Sequence, residues 1–211
     1  MYRICFLMLL VCLGKVANGE TVIPGIAVQD YRLLYNQLGL DNTISYTAFE
    51  NALSGYQRYA GEKKGLLALI DYTKPSTEKR FCVIDLEHRK ILFTSHVAHG
   101  KKSGENYAVS FSNQPGSNKS SLGFFLTGST YYGKNGYSLL LDGLEKGVND
   151  KARERAIVIH GATYSDPSVL SGQDRLGRSL GCPALPPAVS QKVIDTIKNG
   201  VLLYIYGQNK S

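Results

Sequence analysis

Two residues in this chain have side chains that can make and use a nucleophile together. His160 ends the apolar run Ala156-Ile157-Val158-Ile159-His160-Gly161, and 22 residues later Cys182 lies in Arg178-Ser179-Leu180-Gly181-Cys182-Pro183-Ala184. A cysteine attacks a carbonyl as its thiolate, which forms beside a base or in a positive environment. Histidine is the usual base near neutral pH. A strand with His160 at its end presents the ring from a rigid scaffold. Gly181 lets a substrate approach the backbone closely, and free N–H groups there could hold an oxyanion. Spacing alone leaves a plainer reading open, in which His160 and Cys182 are two unrelated packing residues.

Other groups offer weaker chemistry. His96-x-x-His99 with His160 and Cys182 has the donor types of a tetrahedral zinc site. However, residues three apart on a strand point to opposite faces, so no metal is expected. Asp71 and Asp85 lie in or just after strands and read as solvated or turn-capping carboxylates, not an acid pair. His99, beside a glycine-rich loop, is a candidate substrate contact. Gly100-Lys101-Lys102-Ser103-Gly104 lacks the spacing of a phosphate loop. Cys82 sits in the apolar strand Phe81-Cys82-Val83-Ile84 and reads as a small buried thiol, although a Cys82–Cys182 disulfide is a further state open to a secreted chain.

The elements that must position these groups change character along the chain. Residues 20–62 read as helical: Tyr31, Leu34 and Leu38 recur on one face before Gly39, and Thr47-x-x-Glu50 has the form of a capping box ahead of Phe49, Leu53, Tyr56 and Ala60, with Gly61 as the stop. From Gly65 onward the pattern is that of strands, at Leu66–Tyr72, Arg80–Leu86, Ile91–Val97, Ala108–Phe111, Gly123–Thr127, Tyr137–Leu141, Ala156–Ile159 and Val201–Tyr206. The second and third form a hairpin, and a helix is expected over Ala188–Lys198. With no repeat or linker dividing it, 63–211 reads as one mainly β domain with small helices, preceded by the short helical segment.

Composition bounds the function. Of 211 residues, 43% are hydrophobic and 19% charged, which excludes a disordered or fibrous chain. Arg3, the apolar run Ile4–Leu13 and Ala17-Asn18-Gly19 have the order of a secretory signal over residues 1–19. Its run is too short to span a bilayer, so no stable membrane insertion is expected after cleavage. Loss of Arg3 and Lys15 with that segment lowers the net charge from +7 to +5. The remaining charge is dispersed, which suits an anionic envelope and gives no case for nucleic acid.

Tyr72-Thr73-Lys74-Pro75-Ser76, Val97-Ala98-His99-Gly100-Lys101, Asn113-Gln114-Pro115-Gly116-Ser117 and Arg178-Ser179-x-Gly181-Cys182-Pro183-Ala184 together resemble the murein L,D-transpeptidase catalytic domain family, of the YkuD type. The resemblance covers about residues 65–206 and departs from the commoner signature at Leu180, where many members carry a second histidine. It implies a YkuD-like β-sandwich domain in the periplasm or cell envelope, working without cofactor on peptidoglycan stem peptides. Cys182 would be the nucleophile and His160 the base, with its ring oriented by the Gly161 carbonyl. Gly181 and Ser179 would shape the substrate turn, and Arg178 would either meet a stem carboxylate or clamp its own loop. Ser120–Phe124 would line the groove, and Tyr131-Tyr132-Gly133 is a candidate lid. The acyl acceptor would be a stem, a protein or another amine. Water as acceptor would make the protein a carboxypeptidase, and a non-catalytic envelope-binding protein is the rival class.

Overall fold

The computed structural model describes residues 21–23, 26–27, 30–59 and 63–209. The expected leader at 1–19 and the expected helix stop at Gly61 lie outside these residues.

The segment expected to be helical opens instead on a short antiparallel hairpin, β1 (Thr21–Ile23) and β2 (Ile26–Ala27). Helix α1 (Tyr31–Leu38) follows, burying Tyr31, Leu34, Tyr35 and Leu38 and ending on Gly39 at φ 62°. That left-handed conformation suits a residue without Cβ. Helix α2 (Tyr46–Tyr59) buries Ala48, Phe49, Ala52, Leu53 and Tyr56. Its cap is not the expected Thr47–Glu50 box. Ser45 Oγ accepts the Ala48 N–H at 3.3 Å, while Glu50 accepts the Tyr46 hydroxyl at 3.0 Å. The helix begins two residues earlier because the Ser45 N–H is itself held by Asp71 at 2.8 Å. A tertiary contact therefore selects among the local caps.

Eight strands form one mixed sheet: β3 (Leu66–Asp71), β4 (Phe81–Asp85), β5 (Lys90–Ser95), β6 (Gly123–Gly133), β7 (Gly136–Gly143), β8 (Val158–Gly161), β9 (Ala184–Leu185) and β10 (Leu202–Tyr206), in the order β5-β4-β3-β10-β6-β7-β8-β9. The β10–β3 and β8–β9 pairs are parallel and the others antiparallel. Both faces of the central strands are buried, which is why β3 and β4 read as continuous apolar runs. Cys82, Ile84, Leu67, Leu69 and Leu202 share a core with α1 and α2. Ala68, Ile70, Phe81, Val83, Leu203 and Ile205 point the other way, into a core with helix α3 (Pro187–Ile197).

Three elements differ from the sequence expectation. The Ala108–Phe111 segment is no strand: the Val109 and Ser110 N–H groups both donate to Ser103 O, so no ladder forms. Strand β6 runs six residues past Thr127, through an irregularity between Thr127 and Thr130, and its exposed far half loses the alternation that marks a strand. Strand β8 starts at Val158, because Ala156 sits at φ 53° and cannot extend the ladder.

The sheet's two edges are joined by the chain leaving β5. Ala98 pairs antiparallel with Ala184 of β9, and Gly100 pairs with Ser179. The Ala98 N–H donates to Ala184 O at 2.8 Å, the Ser179 N–H to His99 O at 2.9 Å and the Lys101 N–H to Ser179 O at 2.8 Å. Behind this joint lies Arg80, fully buried. Its Nε and Nη2 donate to Val97 O at 3.1 and 2.8 Å, Nη1 to Lys74 O at 2.9 Å, and Nη2 to His99 Nδ1 at 2.8 Å. A guanidinium cannot accept, so His99 carries its proton on Nε2 and donates to Gly104 O at 3.2 Å. Burial and the Arg80 charge hold the ring neutral, with its pKa pushed down to about 3. His99 is therefore a wall of this joint, and both ring nitrogens of this candidate substrate contact are taken by Arg80 and Gly104.

A histidine kept neutral in the fold but free to protonate near 6.5 when unfolded makes stability fall as pH drops. His160 and His96 are also lowered by burial and act in the same direction. Resistance to urea unfolding is expected to fall steadily from pH 6.5 toward pH 3, and His99→Gln is expected to flatten that slope. An unchanged slope in the variant would assign the loss to other groups.

Candidate active site

Strand β8 delivers His160 and the turn before β9 delivers Cys182. The β8–β9 ladder pairs His160 with Ala184, two residues beyond Cys182, so the elements carrying the two groups run side by side. The His160 ring is 4% exposed. Its Nδ1 is 2.9 Å from Gly161 O and donates to it, which leaves the Nε2 lone pair as the basic site. Burial pushes the ring's pKa below the usual imidazole value, and the Gly161 carbonyl partly offsets this. The imidazole is thus neutral at neutral pH, with its proton on Nδ1. A side chain at Gly161 would meet Ser190 Oγ at 2.5 Å, so the orienting carbonyl lies tight against α3.

The Cys182 turn is fixed by neighbouring side chains. Ser179 Oγ donates to Cys182 O at 2.6 Å and accepts the Gly181 N–H at 3.0 Å. Ser120 Oγ donates to Gly181 O at 3.0 Å and accepts the Gly100 N–H at 3.0 Å. Gly181 has φ 132°, and a Cβ on Gly100 would lie 2.9 Å from the Gly181 Cα, so both positions exclude a side chain. Of the backbone amides at this turn, Gly181's is engaged by Ser179, and that of Cys182 remains beside the sulfur. Ser120 and Ser121, candidate groove residues from the sequence, buttress this turn and its neighbouring loop.

Among the described residues, the Cys182 thiol's hydrogen bond goes to Ala156 O at 3.5 Å and not to the imidazole. Burial raises the thiol's pKa, while the Val158 N–H, the Arg155 guanidinium and the Cys182 N–H act against that rise. Both Cys82 and Cys182 are free thiols. Cys82 is sealed among α1, α2 and the sheet, and Cys182 packs at the margin of the opposite core, which excludes their pairing in this fold.

Arg178 is tied to the loop of residues 101–105. Nη1 donates to Gly104 O at 3.1 Å and to Glu105 Oε1 at 2.5 Å, and Glu105 also takes Arg175 Nε at 2.8 Å. His96 meets Thr77 O at 3.1 Å, far in role from the Arg80-bound His99, and among the described residues no group of His, Cys, Asp and Glu is placed to hold a metal. Asp71 caps the turn after β3, accepting the Thr73 N–H and hydroxyl, and Asp85 accepts the His88 N–H at 2.9 Å. Tyr131 and Tyr132 lie exposed near the end of the β6–β7 hairpin. Sequence reasoning missed Arg155. Its only sequence signal is a position just ahead of the apolar β8 run, and nearby Arg153 shows the ordinary surface alternative by pairing with Asp142.

Comparison with known proteins places this geometry. The family described as L,D-transpeptidase catalytic domain matches residues 40–206. Among solved structures, the helical cell shape determining protein Pgp2 from Campylobacter jejuni aligns at TM-score 0.48 and 19% identity, covering 72% of this chain and 51% of that one. An L,D-transpeptidase from Mycobacterium smegmatis aligns at TM-score 0.41 and 13% identity, covering 68% of this chain and 59% of that one. The match thus spans about half to three-fifths of those two proteins. No curated protein matches in sequence. The family match takes in α2 as well as the whole eight-stranded sheet and the His160–Cys182 region, and the chain belongs to the L,D-transpeptidase catalytic domain family.

Proposed function

We propose that this protein is a cysteine-dependent L,D-transpeptidase acting on peptidoglycan tetrapeptide stems in the periplasm or cell envelope, after removal of residues 1–19. The observation that carries the reading is the Nδ1–Gly161 O bond, which fixes a neutral His160 with its basic nitrogen free, on the strand that runs beside the cysteine turn. Nε2 takes the Cys182 proton as Sγ bonds to the carbonyl of the stem's third residue. The Cys182 N–H stabilises the oxyanion. The amide to the terminal D-alanine then breaks, and the proton passes to its leaving amine, giving a thioacyl enzyme. An acceptor amine, from a stem or a protein, attacks that thioester after losing its proton to His160 and releases the thiol. Water in the same place yields the carboxypeptidase outcome. Arg178 leads into the cysteine turn and pairs with Glu105 of the 101–105 loop, and the exposed Glu105 can be displaced by a stem carboxylate, the bidentate partner a guanidinium favours.

Intact-protein mass spectrometry with a disaccharide tetrapeptide tests this. The expected result is a mass gain mapping to Cys182 with D-alanine released, lost in Cys182→Ala and kept in Cys82→Ala. Cross-linked or tripeptide product then separates amine from water as acceptor. No adduct from folded protein with a free Cys182 thiol would overturn the reading.

His160→Ala is expected to lower kcat by on the order of 10²–10⁴ without unfolding the protein. Because the folded ring's pKa lies below 6.5, kcat/KM should stay high through pH 6.5 and fall only as more acid solution protonates Nε2. A pH–rate profile with an acid limb centred above 6.5 would contradict the assignment of His160 as a buried neutral base.

A further inference from the structure

We propose that Arg155 is the positioning cation of the Cys182 nucleophile: its guanidinium binds the loop of residues 112–121 against the Cys182 turn, and its charge stabilises the thiolate. The inference rests on the reading of Cys182 as nucleophile and adds a residue that neither the sequence pattern nor the family match assigns.

Four interactions place the guanidinium. Nη1 donates to Ser112 O at 2.6 Å and to Ser121 Oγ, and Nη2 donates to Lys119 O at 2.7 Å and Ser117 Oγ at 3.2 Å. All four acceptors are neutral. Among the described residues no carboxylate pairs with this half-buried arginine, whereas Arg153, Arg175 and Arg178 each have one. A cation without a counter-ion acts on whatever ionisable group is nearest, and more strongly where water is excluded.

The titratable group coupled to Arg155 is Cys182. An added Cβ at Gly181, the residue before the nucleophile, would lie 3.5 Å from Arg155 Nη2 and 2.9 Å from Lys119 O, the carbonyl that Nη2 holds. The residue after Arg155, Ala156, accepts the thiol hydrogen, at a strained φ of 53°. Arg155 is thus fixed on both sides of the sulfur, through the loop and through its own chain. Other titratable groups of this region do not stand in for it. Tyr72 and Tyr164 are held neutral by burial, with pKa values raised to about 12, and the His160 ring is neutral. Lys119 directs its ammonium to Ser110 Oγ at 2.7 Å.

The test is the pH dependence of Cys182 alkylation by iodoacetamide, mapped by mass spectrometry on the full chain, with folding checked by circular dichroism. In Arg155→Gln the titration midpoint is expected to rise by at least half a unit, with alkylation at pH 7 slowed roughly threefold or more. Arg155→Lys, which keeps the charge and loses the forked loop contacts, is expected to restore most of the wild-type midpoint. A merely structural arginine would leave the midpoint unmoved in Arg155→Gln, or move it equally in both variants, and either result overturns the proposal. Should Arg155→Gln fail to fold, Arg155→Met repeats the measurement with the apolar stem retained. Alkylation does not depend on turnover, so a shifted midpoint in a protein that forms no acyl-enzyme would sink the proposed reaction and leave this inference standing.

Discussion

The structure depends on the joint where the chain leaving β5 pairs with β9. Ala98 bonds Ala184, Gly100 lies against Ser179 and Gly181, and His99 O holds the Ser179 N–H. The joint satisfies backbone groups that two edge strands would otherwise expose. It also locates the cysteine turn, because Ser179, Gly181 and Cys182 hang from the same few residues. Arg80 keeps the joint in place from within, its donors on Val97, Lys74 and His99. A buried cation of this kind tolerates removal of a partner poorly, since each freed carbonyl or ring nitrogen loses its bond away from water.

From that joint the chemistry follows by adjacency. Strand β8 pairs with β9, so His160 is carried next to the turn that carries Cys182. The two groups are tuned in complementary ways by one cause. Burial makes the imidazole harder to protonate and the thiol harder to ionise, so the resting pair is neutral on both sides. In the reaction we propose, such a neutral pair transfers its proton at the moment of attack, and the Gly161 carbonyl leaves Nε2 as the accepting nitrogen. The helical pair plays a different part. Its apolar faces fill the core on Leu67, Leu69, Cys82 and Ile84, so α1 and α2 are packed into the same body as the strands.

Several features were legible because they depend on nearest neighbours in sequence. The helical face of Tyr31, Leu34 and Leu38 with its Gly39 stop, the β4–β5 hairpin and the apolar run into His160 each carry their own signal. The features missed rest on which partner each backbone group finds, whether a few residues away or many. Ser45 outcompetes Thr47 as a cap because Asp71, 26 residues away, holds its amide. Ala108–Phe111 has strand composition but finds no ladder, as Ser103 O takes its amides. The exposed end of β6 is a strand because β7 pairs with it, not because one side is buried.

The sequence by itself determined the chemistry available: one histidine at a strand end, one cysteine in a glycine turn, a second cysteine in an apolar run, and motifs resembling a single family. These are properties of residue type and local pattern. The tertiary structure alone decided which groups are partners. It gave His99 to Arg80, Gly181's amide to Ser179, Arg178 to Glu105, and the neighbourhood of Cys182 to Arg155. The reason is that hydrogen bonds and charge interactions act over a few ångströms in space, and the partners here lie between two and 73 residues apart along the chain.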